Sequence, residues 1–443
     1  MSDPRAGTAT LKRPRRALAT VVAVVFIDLL GFGIIIPILP FYVRSFGVSD
    51  VYIGLLAASY SLMQFVFAPL LGSLSDRRGR RPVLLISVAG SAVAWTVFGL
   101  AGSIAVLFLS RMLAGAMGGN LAAAQAYVSD ITPPERRASA FGLIGAAFGL
   151  GFIFGPALGG VFASDPVVEF ARRVLPSFVP ATRFSLPSFA AAGLSLVNLG
   201  FALAFLEESG VQRLAAKRLS WVATFRDALA DEGLRGLVVA FFLLSVAFSG
   251  VQVMFIPFAA DQYGYGATET ALLLTYIGVL GVVFQGVLVG RLSRRYPDSL
   301  LAIAGAVLLA GALAALPFSP ELGRAFLPSI GGGSPPIDGA AFLTPELLAL
   351  VAVLPGLSLG NALLSVSLTT LVSKAAGADV QGSAFGITQG AGSLGRTVGP
   401  PVMAALYVAA FWTPFAVGAV LLVGTLAVLV RWSRWSQSTS RTE

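Results

Sequence analysis

The 443-residue sequence contains neither cysteine nor histidine. Without cysteine there is no disulfide framework, no thiolate nucleophile and no cysteine-held metal, and without histidine the commonest metal ligand and near-neutral titrating group is missing too. Charge is scarce: charged residues make up 12% of the chain against 56% hydrophobic ones, and mean hydropathy is +0.85. A soluble fold could not hide that much apolar surface from water, so the solvent of this chain is lipid. Any chemistry must rest on a few carboxylates and arginines. No phosphate-binding loop, paired-carboxylate site or nucleophile with its base stands out, which argues against an enzyme or an ATP-driven pump. No cofactor or metal is expected. The net charge of +9 lies in short loops between apolar runs and not in a basic soluble domain, so nucleic acid is not an expected partner.

What the chain has in quantity is long apolar runs. A hydrocarbon core about 30 Å thick needs about 20 apolar residues per helix. On that criterion spans fall near 17–40, 52–75, 82–101, 104–128, 139–163 and 187–206, and again near 236–258, 269–290, 299–317, 346–372, 382–410 and 412–430. The expected fold is all-α and integral to the membrane, with twelve transmembrane helices in two pseudo-symmetric six-helix halves. The halves are 1–206 and 235–443, joined by a linker at 207–234. The first run, Ala17 to Pro40, is too long for a signal-peptide core and lacks a clean cleavage site, so it reads as a span. With the N-terminus placed inside, Lys and Arg divide 23 to 5 between inner and outer segments. That bias puts both termini in the cytoplasm and the chain in the cell membrane. The outer loops 164–186 and 318–345, rich in Pro, Gly and Ser, read as irregular.

An internal repeat supports the two halves. Val128-Ser129, Ser139-Ala140-Phe141-Gly142, Leu150-Gly151 and Gly155-Pro156 all recur 244 positions later, as Val372-Ser373, Ser383-Ala384-Phe385-Gly386, Leu394-Gly395 and Gly399-Pro400. Repeated halves of a transporter place the substrate site near the midplane between them.

Three stretches carry motif-level information. The short loop after span two reads Gly72-Ser73-Leu74-Ser75-Asp76-Arg77-Arg78-Gly79-Arg80-Arg81-Pro82. Its glycines permit a tight turn, Asp76 suits a helix end, and its arginines hold it inside. It resembles the signature loop of the major facilitator superfamily, and that resemblance implies that Arg80 pairs with Asp130 at the inner end of span four as a conformational latch. Gly72, Asp76, Arg77, Gly79 and Arg81 belong to the same latch. The second-half counterpart, Gly290-Arg291-Leu292-Ser293-Arg294-Arg295, has Arg294 where the acid would stand, so this copy reads as degenerate and the latch as asymmetric.

Span five carries Gly151, Gly155 and Gly159 on one helical face, with Pro156 and Gly160 beside them. That spacing lets two backbones approach closely. It also resembles the antiporter motif that separates exporters from symporters in the superfamily. Span one, Phe26 to Pro40, resembles the first span of the tetracycline and multidrug proton antiporters. Asp28 is the only acid well inside a span. A carboxylate at that depth costs several kcal/mol unless it is paired, hydrated or protonated, which makes it a candidate proton carrier. Arg111 in span four is its expected partner in coupling. A static ion pair holding spans one and four together is the structural alternative.

The resemblance implies a proton-coupled antiporter exporting drugs or small lipophilic metabolites by alternating access. The expected partners are a small-molecule substrate, protons and the bilayer, with the chain monomeric. A proton symporter or facilitator importing a small solute, and a receptor-like membrane protein without transport, are the alternatives. The cavity would draw on Gln64, Asn120, Gln125, Gln252, Phe255, Asn361, Gln389 and Arg396, and a pocket otherwise apolar, with these few amides and one carboxylate, suits a lipophilic compound. Each amide could equally be interhelical glue. Where the tetracycline exporters align an additional acid this chain has Ala94, and their second-half histidine has no counterpart, which argues against tetracycline itself as substrate.

Overall fold

The computed structural model describes residues 14–118, 120–133, 136–209, 232–326, 344–375 and 381–439. Most of the expected linker, 210–231, lies outside the described residues. The described residues fall into two compact units. The first draws on Met1–Val48, Ser59–Arg218 and Gly266–Gly278, and the second on Ser49–Ala58, Leu219–Tyr265 and Val279–Glu443. Each unit is therefore mostly one sequence half plus a single short segment from the other.

The first unit contains α1 (Pro14–Ile35), α2 (Leu39–Ser45), most of α3 (Val51–Arg78), α4 (Arg80–Gly99), α5 (Ile104–Met117), α6 (Asn120–Ile131), α7 (Arg137–Ala163), α8 (Asp165–Val174) and α9 (Ser185–Phe205). A turn at residues 36–38 separates α1 from α2, because Pro37 has no N–H to donate and its ring disfavours helix at the residue before it. One residue, Gly79 with φ +97°, reverses the chain between α3 and α4, a conformation that glycine adopts without steric cost. Span four comprises α5 and α6, on either side of residue 119, which lies outside the described residues. Val21, Val24, Val83, Leu84, Val88, Tyr127, Val128 and Ile144 are buried together in this unit's core. The Asn198 amide pins α9 to α1 by donating to the Val24 carbonyl at 2.9 Å.

The second unit contains α10 (Glu232–Tyr263), part of α11 (Ala267–Val283), α12 (Val289–Leu292), α13 (Asp298–Ala315), α14 (Ser319–Phe326), α15 (Pro345–Ala375), α16 (Gln381–Ala409) and α17 (Thr413–Thr439). A π-helical turn, Phe284–Leu288, interrupts span eight between α11 and α12. The antiparallel helices α13 and α15 cross where a Cβ on Gly305 would stand 2.6 Å from the Leu364 nitrogen and one on Gly360 2.6 Å from the Leu309 nitrogen. Only glycine lets the two backbones come that close.

Eleven helical stretches among the described residues are long and apolar enough to cross a membrane. The expected span at 382–410 is present as the 29-residue α16 but is not among those eleven. Its sequence is diluted by Gly, Ser, Thr and Gln. Two loop expectations need correction, since 164–186 contains α8 and 318–345 contains α14. Asp165 and Pro166 open α8, Arg172 and Arg173 close it, and its Val168 and Ala171 bury against Leu186. An amphipathic pattern with end charges matched to the helix dipole outweighs the surrounding Pro and Ser.

Candidate functional site

The first cluster is built on the turn between α3 and α4. The Arg80 Nε donates to Asp130 Oδ2 at 2.9 Å, and the same guanidinium pairs with Asp76 Oδ1 at 2.6 Å and donates to Ser75 Oγ at 2.6 Å. Arg80 is 3% exposed and Asp130 1%, so neither charge could stay there alone. Arg80 and Asp130 are thus brought together, with Asp76 joining them through its i,i+4 relation to Arg80. Arg77 is exposed, and Gly72 has open space where a Cβ would project. Arg81 donates from Nη2 to the Leu203 carbonyl at 3.0 Å.

Sequence reasoning missed what sits behind Gly79. The Glu208 carboxylate accepts the backbone N–H groups of Arg80 at 2.8 Å and Arg81 at 3.2 Å, capping the start of α4. A Cβ on Gly79 would stand 2.5 Å from Glu208 Oε2, so the carboxylate would have to shift for any other residue there, on top of the strain of its positive φ. At the other end of the pair, Arg137 donates to the Ser129 and Thr132 carbonyls, each at 3.2 Å, closing the C-terminus of α6.

The second cluster surrounds Arg111 on α5, which is 5% exposed. Its guanidinium lies 4.6 Å from the Tyr60 ring centroid and 5.7 Å from that of Phe32, within cation–π range of both. The two rings are 5.3 Å apart. The Arg111 Nε has no hydrogen-bond partner among the described residues. Asp28, half-buried on α1, stands four residues before Phe32 and so on the same helical face. Phe32 and Tyr60 were not foreseen. Phe32 at i+4 from the acid was a usable signal, whereas nothing in the sequence ties Tyr60 to Arg111. Nearby, the Gln64 amide donates at 3.1 Å to the carbonyl of Gly118.

The glycine face of α7 packs directly on α1. A Cβ on Gly155 would meet the Gly33 Cα at 2.6 Å, one on Gly151 would meet the Leu29 Cβ at 2.7 Å, and Gly159 faces the Ile34 carbonyl. Pro156 comes close to Gly33 on the same surface, and Gly160 faces Ala271. The Thr268 hydroxyl donates to the Gly160 carbonyl at 3.2 Å.

The remaining cavity candidates are scattered. Gln125, Gln252 and Gln389 are exposed, and Asn361 is half-buried and accepts from the Ser365 hydroxyl at 3.4 Å. Arg396 is half-buried, near where a Cβ on Gly392 would project. Asn120 opens α6, but its side chain lies outside the described residues. Phe255 is buried in the second unit, at 1% exposure. Among the described residues no group of three acids is placed to hold a metal.

In the second unit Arg294 still stands where the acid would, and four residues on Asp298 Oδ2 accepts from the Lys374 ammonium at 2.6 Å.

Residues 21–400 match the Major Facilitator Superfamily profile. The chain is 30% identical to the "Tetracycline resistance protein, class C" of Escherichia coli over 97% of its own length and 100% of that protein's. It is also 30% identical to the "Major facilitator superfamily domain-containing protein 10" of Bos taurus, over 87% of each. Among solved structures, the human organic anion transporter MFSD10 (TETRAN) superposes with TM-score 0.66 at 24% identity, covering 95% of this chain and 100% of that one. A bacterial homologue of the human lysosomal transporter Spinster, inward-facing and unoccupied, gives 0.71 at 16% identity, covering 98% of each. With apolar helices throughout and a family match across most of its length, the chain belongs to the Major Facilitator Superfamily as a multi-pass membrane transporter.

Proposed function

We propose that this transporter is a proton-coupled antiporter, exporting drugs or small lipophilic metabolites across the cell membrane by alternating access. In this reading both termini are cytoplasmic and the monomer is the working unit. The observation that carries it is the cluster of Arg111, Phe32 and Tyr60, with Asp28 one helical turn away on α1. Inside a span, a carboxylate that can exchange its proton and a cation held by rings form the minimum set for proton exchange. Asp28 takes up and releases the proton. Arg111 senses that change of charge and passes it to substrate binding. The backbone-close packing of α7 on α1 supports the exporter direction through its likeness to the antiporter motif, and relatives named for tetracycline resistance support efflux.

The same cluster favours a second reading of the substrate. A buried guanidinium flanked by two rings suits an aromatic organic anion, and a structural neighbour is a human organic anion transporter. The test is flux in proteoliposomes under an imposed pH gradient, with paired panels of lipophilic cationic and anionic dyes. Gradient-driven accumulation of either panel supports antiport, and the panel that moves fixes the sign of the substrate. Transport of both panels at rates indifferent to the gradient overturns proton coupling.

A further inference from the structure

The internal repeat can be followed through the inner loops residue by residue. Gly72, Leu74 and Ser75 recur 218 positions later as Gly290, Leu292 and Ser293. On the same offset Asp76 becomes Arg294 and Arg80 becomes Asp298. On the 244-position offset that carries Val128-Ser129 to Val372-Ser373, Asp130 becomes Lys374. All three charges of the first-half cluster are thus replaced by charges of opposite sign.

The pairing survives the inversion. Arg80 opens α4 and meets Asp130 in the last turn of α6 at 2.9 Å, while Asp298 opens α13 and meets Lys374 in the last turn of α15 at 2.6 Å. Two substitutions of opposite sign that keep one contact are hard to account for unless the contact itself matters.

The inversion also changes how each pair sits in the field of its helices. A helix N-terminus favours negative charge and a C-terminus positive charge. Asp298 and Lys374 each occupy the favourable end. Arg80 and Asp130 each occupy the unfavourable one, and neighbours supply the missing charges: Glu208 at the start of α4 and Arg137 at the end of α6. On the repeat offset, Arg137 corresponds to Gln381. The second half carries no cation at that position and, with Lys374 already at the helix end, needs none.

We propose that Asp298 and Lys374 are positioning residues for transport, a charge-inverted second clamp that holds the inner ends of α13 and α15 together as Arg80 and Asp130 hold α4 and α6. Asp298 is 8% exposed and Lys374 68%, so the acid is the buried anchor and the lysine reaches it from the surface. The clamp acts on the conformational cycle of the superfamily and does not depend on proton coupling.

Hydrogen–deuterium exchange of the purified full-length protein tests this with no substrate and no gradient, using Asp298→Lys, Lys374→Asp, the double exchange and the milder Asp298→Asn. Each single change is expected to speed exchange about threefold or more in peptides covering 290–300 and 368–375. The same change should shift exchange in the opposite sense in 49–58 and 266–278, at the far ends of their spans. The double exchange is expected to return both sets toward wild type, though not fully, because the swapped charges then oppose their helix dipoles. Changes confined to the neighbourhood of 298 and 374, unchanged single variants, or a double exchange no closer to wild type than Lys374→Asp would each overturn the proposal. If the charge reversals fail to fold, Asp298→Asn alone decides it by the same two-ended pattern.

Discussion

Two arginines of the first unit are almost equally hidden, Arg80 at 3% and Arg111 at 5% exposure, and the protein holds them in opposite ways. Arg80 is enclosed by carboxylates and a hydroxyl. Arg111 is enclosed by aromatic faces, with its Nε unpartnered among the described residues. A guanidinium whose Nε and Nη1 are already engaged by two carboxylates and a hydroxyl is placed to hold or release those partners. One held through its π faces still has directional donors to offer to an arriving charge. The same residue type is therefore held in two ways because its neighbours differ.

Substitutions can break that contrast, and the largest effect is expected at Arg80. Arg80→Ala leaves Asp130 buried without its main counter-charge, and should lower unfolding stability by about 3–5 kcal/mol, read as the thermal midpoint of the purified protein. Arg111→Met should behave the other way. It keeps the volume and loses the charge, so transport falls about tenfold or more while the thermal midpoint moves little. A large loss of stability in Arg111→Met would erase the distinction between the two sites.

Smaller effects sharpen the comparison. Glu208→Gln keeps an acceptor for the Arg80 and Arg81 N–H groups but removes the charge at the start of α4. It should cost about 1 kcal/mol, and Glu208→Ala should cost more; equal stability in all three proteins would remove Glu208 from the latch. Tyr60→Leu removes one ring from Arg111 and should cost about 0.5–1 kcal/mol in transport free energy, seen as a several-fold lower rate. Tyr60→Phe retains the ring and should transport like wild type.

The sequence made some of this legible and hid the rest for physical reasons. The signature loop could be read because its residues are contiguous, and Arg80 with Asp130 because a resemblance supplied the partner. Glu208 could not, since it reaches Arg80 across 128 positions and nothing in the local pattern of Glu207-Glu208 says what it caps. Tyr60 looked like any aromatic of an apolar span. The second clamp was overlooked because an acid was sought at 294, whereas the charge pattern had inverted and the acid stood at 298. Phe255, placed in a cavity by its span, is buried, because span number does not tell which way a helix face points.

The proton-carrier role proposed for Asp28 governs all coupling in this transporter. It is tested most directly in proteoliposomes by comparing wild type, Asp28→Glu and Asp28→Asn for dye accumulation driven by a pH gradient and for dye exchange without one. Asp28→Asn is expected to lose accumulation yet still exchange dye, and Asp28→Glu to keep part of both activities. Gradient-driven accumulation by Asp28→Asn at the wild-type rate would contradict it and move the proton to another group.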